Sequence, residues 1–176
     1  MKGVKGLYHY DCFVFLYLNQ YFDYRFIKWY FSKITHLGGA VVTITGSLLL
    51  ILLGDTTLRA CGLASALALT VSHIPVHILK KIYPRHRPYI VVLNTKVIEK
   101  PLKDYSFPSG HTTAIFSVII PLIMYTNFDI LLFILAFSVG LSRIVLGLHY
   151  PSDVLVGSIL GMLTGIISVF IVNFFI

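Results

Sequence analysis

Residues 142–153 read Ser-Arg-Ile-Val-Leu-Gly-Leu-His-Tyr-Pro-Ser-Asp and set Arg143, His149 and Asp153 around the junction of two strongly apolar segments. Pro151 suits the first turn of a new helix, where its missing N–H would have no partner in any case. On that helix the interval from His149 to Asp153 is one turn, so the carboxylate stands beside the imidazole. A carboxylate so placed fixes the tautomer of the ring and stabilises its positive form. In isolation, a histidine near an aspartate at a helix start is an ordinary cap or surface pair, so the rest of the chain has to decide its meaning.

Working outward, the apolar segments extend through the whole chain. Of its 176 residues 57% are hydrophobic, and only 7 acidic side chains face 14 basic ones, which is the composition of a membrane protein. Leu37 to Gly54 is an 18-residue run without a charge, about enough to cross the hydrocarbon as a helix. Further spans are expected at 57–80, 109–126, 129–148 and 152–176, with a turn at 54–57 and a polar loop at 81–107. Pro75 is expected to kink the second span, with His73 and His77 in the bundle interior. Gly157, Gly161 and Gly165 form a small-residue stripe on the last span, expected to pack within the monomer, with a homodimer seam as the alternative.

Residues 1–35 differ from the remainder. They hold 12 of the 25 aromatic side chains, mixed with Asp11, Asn19, Gln20, Asp23, Arg25, Lys28 and Lys33. That mixture favours the headgroup region and predicts two interfacial helices, about 7–18 and 22–34, with one irregular spanning helix as the alternative. The N-terminus shows no compact apolar region with a small-residue cleavage site, so no cleavable signal peptide is expected. Cys12 and Cys61 have no metal or redox spacing and read as two unpaired thiols. The expected fold is all-α: an integral-membrane bundle of five or six transmembrane helices over 36–176, behind an interfacial amphipathic segment over 1–35. The net charge of +7 points to an anionic lipid headgroup or membrane surface rather than to nucleic acid, because most basic residues lie beside apolar segments or within polar clusters.

Alternation of the spans places three polar clusters on one face. Besides the opening stretch these are Lys80-Lys-Ile-Tyr-Pro-Arg-His-Arg87-Pro88 and Pro108-Ser109-Gly110-His111. Ser109, Gly110 and His111 start a helix, where unpaired backbone N–H groups and the positive dipole end favour an anion. Lys80, Arg87 and Arg143 are permanent positive charges with no surplus of local carboxylates, and a phosphate offers acceptor oxygens for guanidinium forks. A helix start and snorkelling cations explain much of this, but neither explains His111. His86 and Tyr105 fall in the loop of the same face and read as solvated loop residues, with contact to a headgroup as the alternative.

These residues resemble a family. Lys80-x6-Arg87-Pro88, Pro108-Ser109-Gly110-His111 and Ser142-Arg143-x5-His149-x3-Asp153 look like the three-part signature of the type 2 phosphatidic acid phosphatase (PAP2) superfamily, related to vanadium haloperoxidases. The resemblance covers about residues 36–176. It implies that His149 attacks phosphorus and forms a phosphohistidine, that Asp153 orients His149, and that His111 protonates the leaving oxygen and then activates water. It also implies that Lys80, Arg87, Ser109, Gly110, Ser142 and Arg143 hold the phosphoryl oxygens, with no metal or other cofactor. Many relatives have six spans, against five clear ones here.

Three readings follow: a membrane lipid phosphate or diphosphate phosphatase, a haloperoxidase-like enzyme, and a non-enzymatic phospholipid binder or transporter. Charge-poor spans disfavour the second, and a phosphate pocket alone does not require both His111 and His149. Undecaprenyl diphosphate and phosphatidylglycerophosphate are the expected substrates, with a phosphorylated lipid A as a further option. The basic loop with Lys96, Lys100 and Lys103 favours the polyprenyl diphosphate. Orientation is in conflict: 5 basic residues in 1–35 and 7 in 80–107 put the active face in the cytoplasm by the positive-inside rule, whereas the resemblance implies the extracytoplasmic face of the cell membrane.

Overall fold

The computed structural model of the chain describes residues 2–98, 104–126 and 128–176, with side chains from residue 8 onward. Its regular elements are all helical, among the described residues. They are α1 (Lys2–Asn19), α2 (Arg25–Ile34), α3 (Ala40–Leu53), α4 (Thr56–Ile82), the single turn α5 (Pro88–Val91), α6 (Gly110–Tyr125), α7 (Asp129–Val145) and α8 (Pro151–Phe175). Short 3-10 turns at Gln20–Asp23 and Thr35–Gly38 link α1 to α2 and α2 to α3.

Helix ends follow local chemistry. Asp55 caps α4 by accepting from the Leu58 N–H at 2.9 Å, and α8 opens on Pro151. The fourth expected span ends at Val145 because Gly147 adopts a left-handed φ of +77°. A side chain there would also place its Cβ 2.2 Å from the Lys96 carbonyl oxygen, so only glycine fits this corner. Pro75 is accommodated within one continuous helix of 27 residues.

By length and apolar composition α4 and α8 can each cross a membrane, and α2 with its following turn and α3 pass together as a pair bent by 52°. The apolar α6 has only 16 residues, about 24 Å at 1.5 Å per residue, against a hydrocarbon thickness of about 30 Å. It lies at the centre of the bundle, packed by α4, α7 and α8, and is buried from Thr112 through Pro121. The outside is apolar: Leu52, Leu53, Ile130, Leu131, Phe137 and Phe170 are all exposed. The inside carries hydroxyls instead, with Ser117 donating to Ser72 at 3.1 Å and standing 3.4 Å from Thr164. Small residues and interhelical hydroxyl bonds are the packing expected where lipid removes the hydrophobic drive between helices.

The glycine stripe of α8 lies against α6. A Cβ on Gly157 would sit 2.7 Å from the Ser109 carbonyl oxygen, and one on Gly161 would sit 2.5 Å from that of Thr113. The stripe therefore serves contact within the chain, as the first of its two expected explanations has it.

One expectation is corrected. His73 and His77 face outward from α4 rather than into the bundle. His73 satisfies itself by donating from Nδ1 to the Leu69 carbonyl at 2.7 Å, so no interior partner is needed. Helix α1 is tied to the bundle by side chains. Asn19 donates to the carbonyls of Lys96 and Val145, at 2.8 and 2.9 Å, and Phe15 is wholly buried against Ile144 and Tyr150.

Candidate active site

All three polar clusters lie at one end of the bundle. Lys80 is in the last turn of α4, Ser142 and Arg143 are in the last turn of α7, and Asp153 is in the first turn of α8. Ser109 is the N-cap of α6, its hydroxyl 2.8 Å from that of Thr112. The corner between α7 and α8 is folded back on itself, with the N–H groups of Leu148 and His149 both donating to the Arg143 carbonyl at 3.0 and 3.1 Å. That corner delivers His149 into the interior with 1% of its surface exposed.

His149 sits between a cation and a carboxylate. Arg87 Nη1 lies 3.0 Å from His149 Nε2 and donates to the Leu148 carbonyl at 2.8 Å. A guanidinium has donors only, so Nε2 must present its lone pair and the proton of the neutral ring resides on Nδ1. Nδ1 faces Asp153 Oδ2 at 3.5 Å, an ion-pair separation longer than a hydrogen bond. Burial pushes the His149 imidazole down to about 4, and Arg87 and Arg143 add to that shift, while Asp153 opposes it. The ring is thus held neutral with its lone pair on Nε2.

Asp153 is fully buried, and its carboxylate is shared among several donors. Oδ2 accepts from the Tyr150 N–H at 2.9 Å and from the Ser106 hydroxyl, and Oδ1 accepts from Arg85 Nη1 at 2.8 Å. The Asp153 carbonyl in turn accepts from the Ser109 N–H at 3.1 Å, tying the start of α6 to that of α8.

The remaining residues named from the sequence fall as follows. Arg143 is buried and donates from Nη1 to Thr35 at 2.7 Å, while its Nε has no hydrogen-bond partner. His111 is half-buried beside Gly39 and within electrostatic reach of Arg143, His149, His36 and Arg87. The Ser142 hydroxyl donates to the Val139 carbonyl at 2.6 Å, which leaves its lone pairs as acceptors only. A Cβ on Gly110 would meet nothing within 4 Å, so packing does not demand glycine there. Lys80 and Arg87 converge with Asp104, which pairs with both. His86 and Tyr105 lie at the rim, their rings 6.5 Å apart. Lys96 pairs with Asp23, and Lys100 and Lys103 lie outside the described residues.

Sequence reasoning missed four residues: two carboxylates, a guanidinium and a hydroxyl. Asp104 supplies the local carboxylate that Lys80 and Arg87 were expected to lack. Burial pushes the Asp104 carboxyl up, but its bonds to Lys80 and Arg87 prevail and hold it down at about 2. Arg85, Asp11 and Ser106 complete the surroundings of Asp153. The signal for Asp104 was its position among the basic residues of the loop; Asp11 carried none, because its partners are more than 70 residues away.

Residues 60–176 match the PAP2 superfamily. The chain is 34% identical over 110 residues to the "Bacitracin transport permease protein BcrC" of Bacillus licheniformis, covering 61% of this chain and 54% of that protein. It is 29% identical over 139 residues to the "Putative undecaprenyl-diphosphatase YbjG" of Escherichia coli, covering 77% of this chain and 70% of that one. The crystal structure of Aquifex aeolicus LpxE is similar with a TM-score of 0.78 and 26% identity, over 88% of this chain and 92% of that one.

Proposed function

Because the chain belongs to the PAP2 superfamily, we propose that it is a membrane lipid phosphatase that removes the terminal phosphate of a lipid phosphate or diphosphate. The observation that carries this reading is the state of His149: neutral, with Nε2 presented as a lone pair beside Arg87 and Nδ1 turned toward Asp153. Nε2 attacks phosphorus in line, the N–P bond forms as the bond to the leaving oxygen breaks, and the lipid alcohol or lipid phosphate departs with a proton from His111. His149 then carries positive charge, which the Asp153 carboxylate stabilises across Nδ1. His111, now the base, takes a proton from water, whose oxygen attacks phosphorus and frees His149.

Arg87 and Arg143 face the transferred group with charge, and the partnerless Nε of Arg143 is a donor suited to one of its oxygens. The first N–H groups of α6, at Gly110 and His111, and the Ser109 hydroxyl add neutral donors. Lys80 completes the set from the rim. This cradle neutralises charge that builds on the phosphoryl oxygens in the transition state.

The substrate class is a polyprenyl diphosphate such as undecaprenyl diphosphate, ahead of phosphatidylglycerophosphate. Support comes from the similarity to a protein named as an undecaprenyl-diphosphatase. The site opens on the extracytoplasmic face of the cell membrane, with residues 1–35 seated at the headgroup level on the same side. A second reading, transport without hydrolysis, is favoured by the similarity to a protein named as a transport permease. Phosphate release by the detergent-purified protein separates the two. Metal-independent turnover in EDTA, fastest on undecaprenyl diphosphate and lost in His149→Ala, is expected. A folded protein inert on undecaprenyl diphosphate, phosphatidylglycerophosphate and phosphatidic acid would favour transport.

A further inference from the structure

Asp11 lies in the middle of α1, far in sequence from the site, and it is nearly buried. Its Oδ2 accepts from Arg85 Nη2 at 2.6 Å and from the Ser152 hydroxyl, and its Oδ1 accepts from the Ser152 N–H at 3.0 Å. The last contact satisfies one of the unpaired amides in the first turn of α8, so α1 caps α8 from outside. Arg85 bridges onward. Its Nη1 donates to Ser152 Oγ at 2.7 Å and to Asp153 Oδ1 at 2.8 Å, and its guanidinium carbon lies over the Tyr150 ring, 3.7 Å from the centroid. A continuous line of bonds thus runs from the N-terminal helix to the carboxylate that faces His149.

This line does not serve phosphate binding. Arg85 stands between two carboxylates, so the trio of Asp11, Arg85 and Asp153 carries a net charge of −1 by formal count and repels an anion. Arg143, by contrast, keeps a donor without a partner. Nor does the line form a rim contact: both carboxylates are buried, and a buried ion pair of this kind fixes geometry because breaking it leaves a charge uncompensated.

We propose that Asp11 and Arg85 are positioning residues for the hydrolysis: through Arg85, helix α1 sets the rotamer and charge balance of Asp153 and so the placement of His149. The N-terminal segment is then part of the catalytic apparatus rather than only an anchor at the membrane surface. The proposal rests on the reading of Asp153 as the orienting group of His149. The charged and titratable groups facing His149 are Arg87 from the loop before α5, Arg143 from α7, His111 from α6 and Asp153 from α8. Arg85 acts on His149 only through the last of these.

The test is a double-mutant cycle on the full chain in detergent, with Arg85→Gln, Asp11→Asn, both together, and His149→Ala. Arg85→Gln is expected to lower kcat by about 10- to 100-fold with KM within about twofold, since misplacing a catalytic group by about 1 Å costs that much. Asp11→Asn is expected to lower kcat by about three- to tenfold, and the double variant to match Arg85→Gln alone within about twofold, because Asp11 acts through Arg85. The acid limb of kcat/KM should move upward in Arg85→Gln, as the Asp153 carboxylate loses the cation that offsets its pull on His149. Arg85→Lys should restore part of kcat.

Unchanged kcat in folded Arg85→Gln, a rise in KM alone, or losses that multiply in the double variant would overturn the proposal. If Arg85→Gln does not fold, Asp11→Asn decides by the same kcat, KM and pH readouts. Full turnover by His149→Ala would instead sink the reading of Asp153 and His149 beneath it, an outcome distinct from normal turnover by Arg85→Gln beside a dead His149→Ala.

Discussion

Arg87 Nη1 stands 3.0 Å from His149 Nε2, and this contact decides which nitrogen of the ring keeps the lone pair. Because the guanidinium only donates, the proton is confined to the nitrogen that faces Asp153. Binding of a phosphate that draws Arg87 onto its own oxygens would uncover Nε2 at the same moment that it brings phosphorus within reach. In the mechanism proposed above, substrate capture and nucleophile exposure are then one event.

The pH profile should report this directly. His149 is held near 4 in the fold against an ordinary value of 6.5, so its neutral form is favoured by folding. kcat/KM should stay flat on its acid side through pH 6.5 and fall only as pH approaches about 4. The same shift makes a contribution to stability that is complete above pH 6.5 and lost as pH falls from there through about 4. Asp104, held near 2, adds one that is present above its ordinary 3.8 and lost as pH falls toward 2. An acid limb in kcat/KM at 6.5, measured in detergent, would show that the ring is not held neutral.

Asp104→Asn tests the charge balance at the rim. The carboxylate pairs with both Lys80 and Arg87 but is itself half exposed, so its loss should cost only about 1 kcal/mol of stability. Freed of that carboxylate, the two cations should bind anions more tightly. The expected result is a lower inhibition constant for inorganic phosphate, read from inhibition of turnover; an unchanged constant would place the two cations away from the phosphate.

Gly110→Ala separates packing from chemistry. No atom stands within 4 Å of the added Cβ, and alanine is the better helix former, so the unfolding temperature should hold or rise slightly. If a phosphoryl oxygen approaches this backbone, the added methyl obstructs it, and kcat/KM should nevertheless fall by about tenfold, less than the loss of a whole transition-state donor costs. Equal activity would mean that phosphate does not touch the helix start.

Gly161→Leu tests the seam between α6 and α8. Its Cβ would collide with the Thr113 carbonyl oxygen at 2.5 Å and with Phe116 Cβ at 2.7 Å, so the helices must part. A loss of about 1–3 kcal/mol is expected, the usual range for overpacking a tight core, measured as a drop in unfolding temperature. An unaffected unfolding temperature would free the stripe for contact with a second chain.

How much of this was legible in the sequence depends on the range of the interaction. The five apolar segments later seen as α3, α4, α6, α7 and α8 were plain, because a run of charge-poor residues is a local property. The convergence of Lys80, Ser109, Arg143 and His149 followed from counting alternating helix ends. The facing of α4 was not legible: a helix apolar all round has no stripe to orient it, so His73 and His77 were placed inside when His73 in fact bonds its own backbone. Asp11, Arg85 and Asp104 were missed for another reason. Their pairing depends on how a loop and an amphipathic helix fold back over the bundle, and no periodicity encodes that.

The central claim is that Nε2 of His149 takes the phosphoryl group. The most direct measurement quenches the first turnover of substrate labelled in its terminal phosphate with alkali and locates the label on the protein. Label on the peptide carrying His149, stable to alkali and released by acid, is the predicted result. Label on a different residue, or no label while His149→Ala still turns over at the wild-type rate, would contradict it.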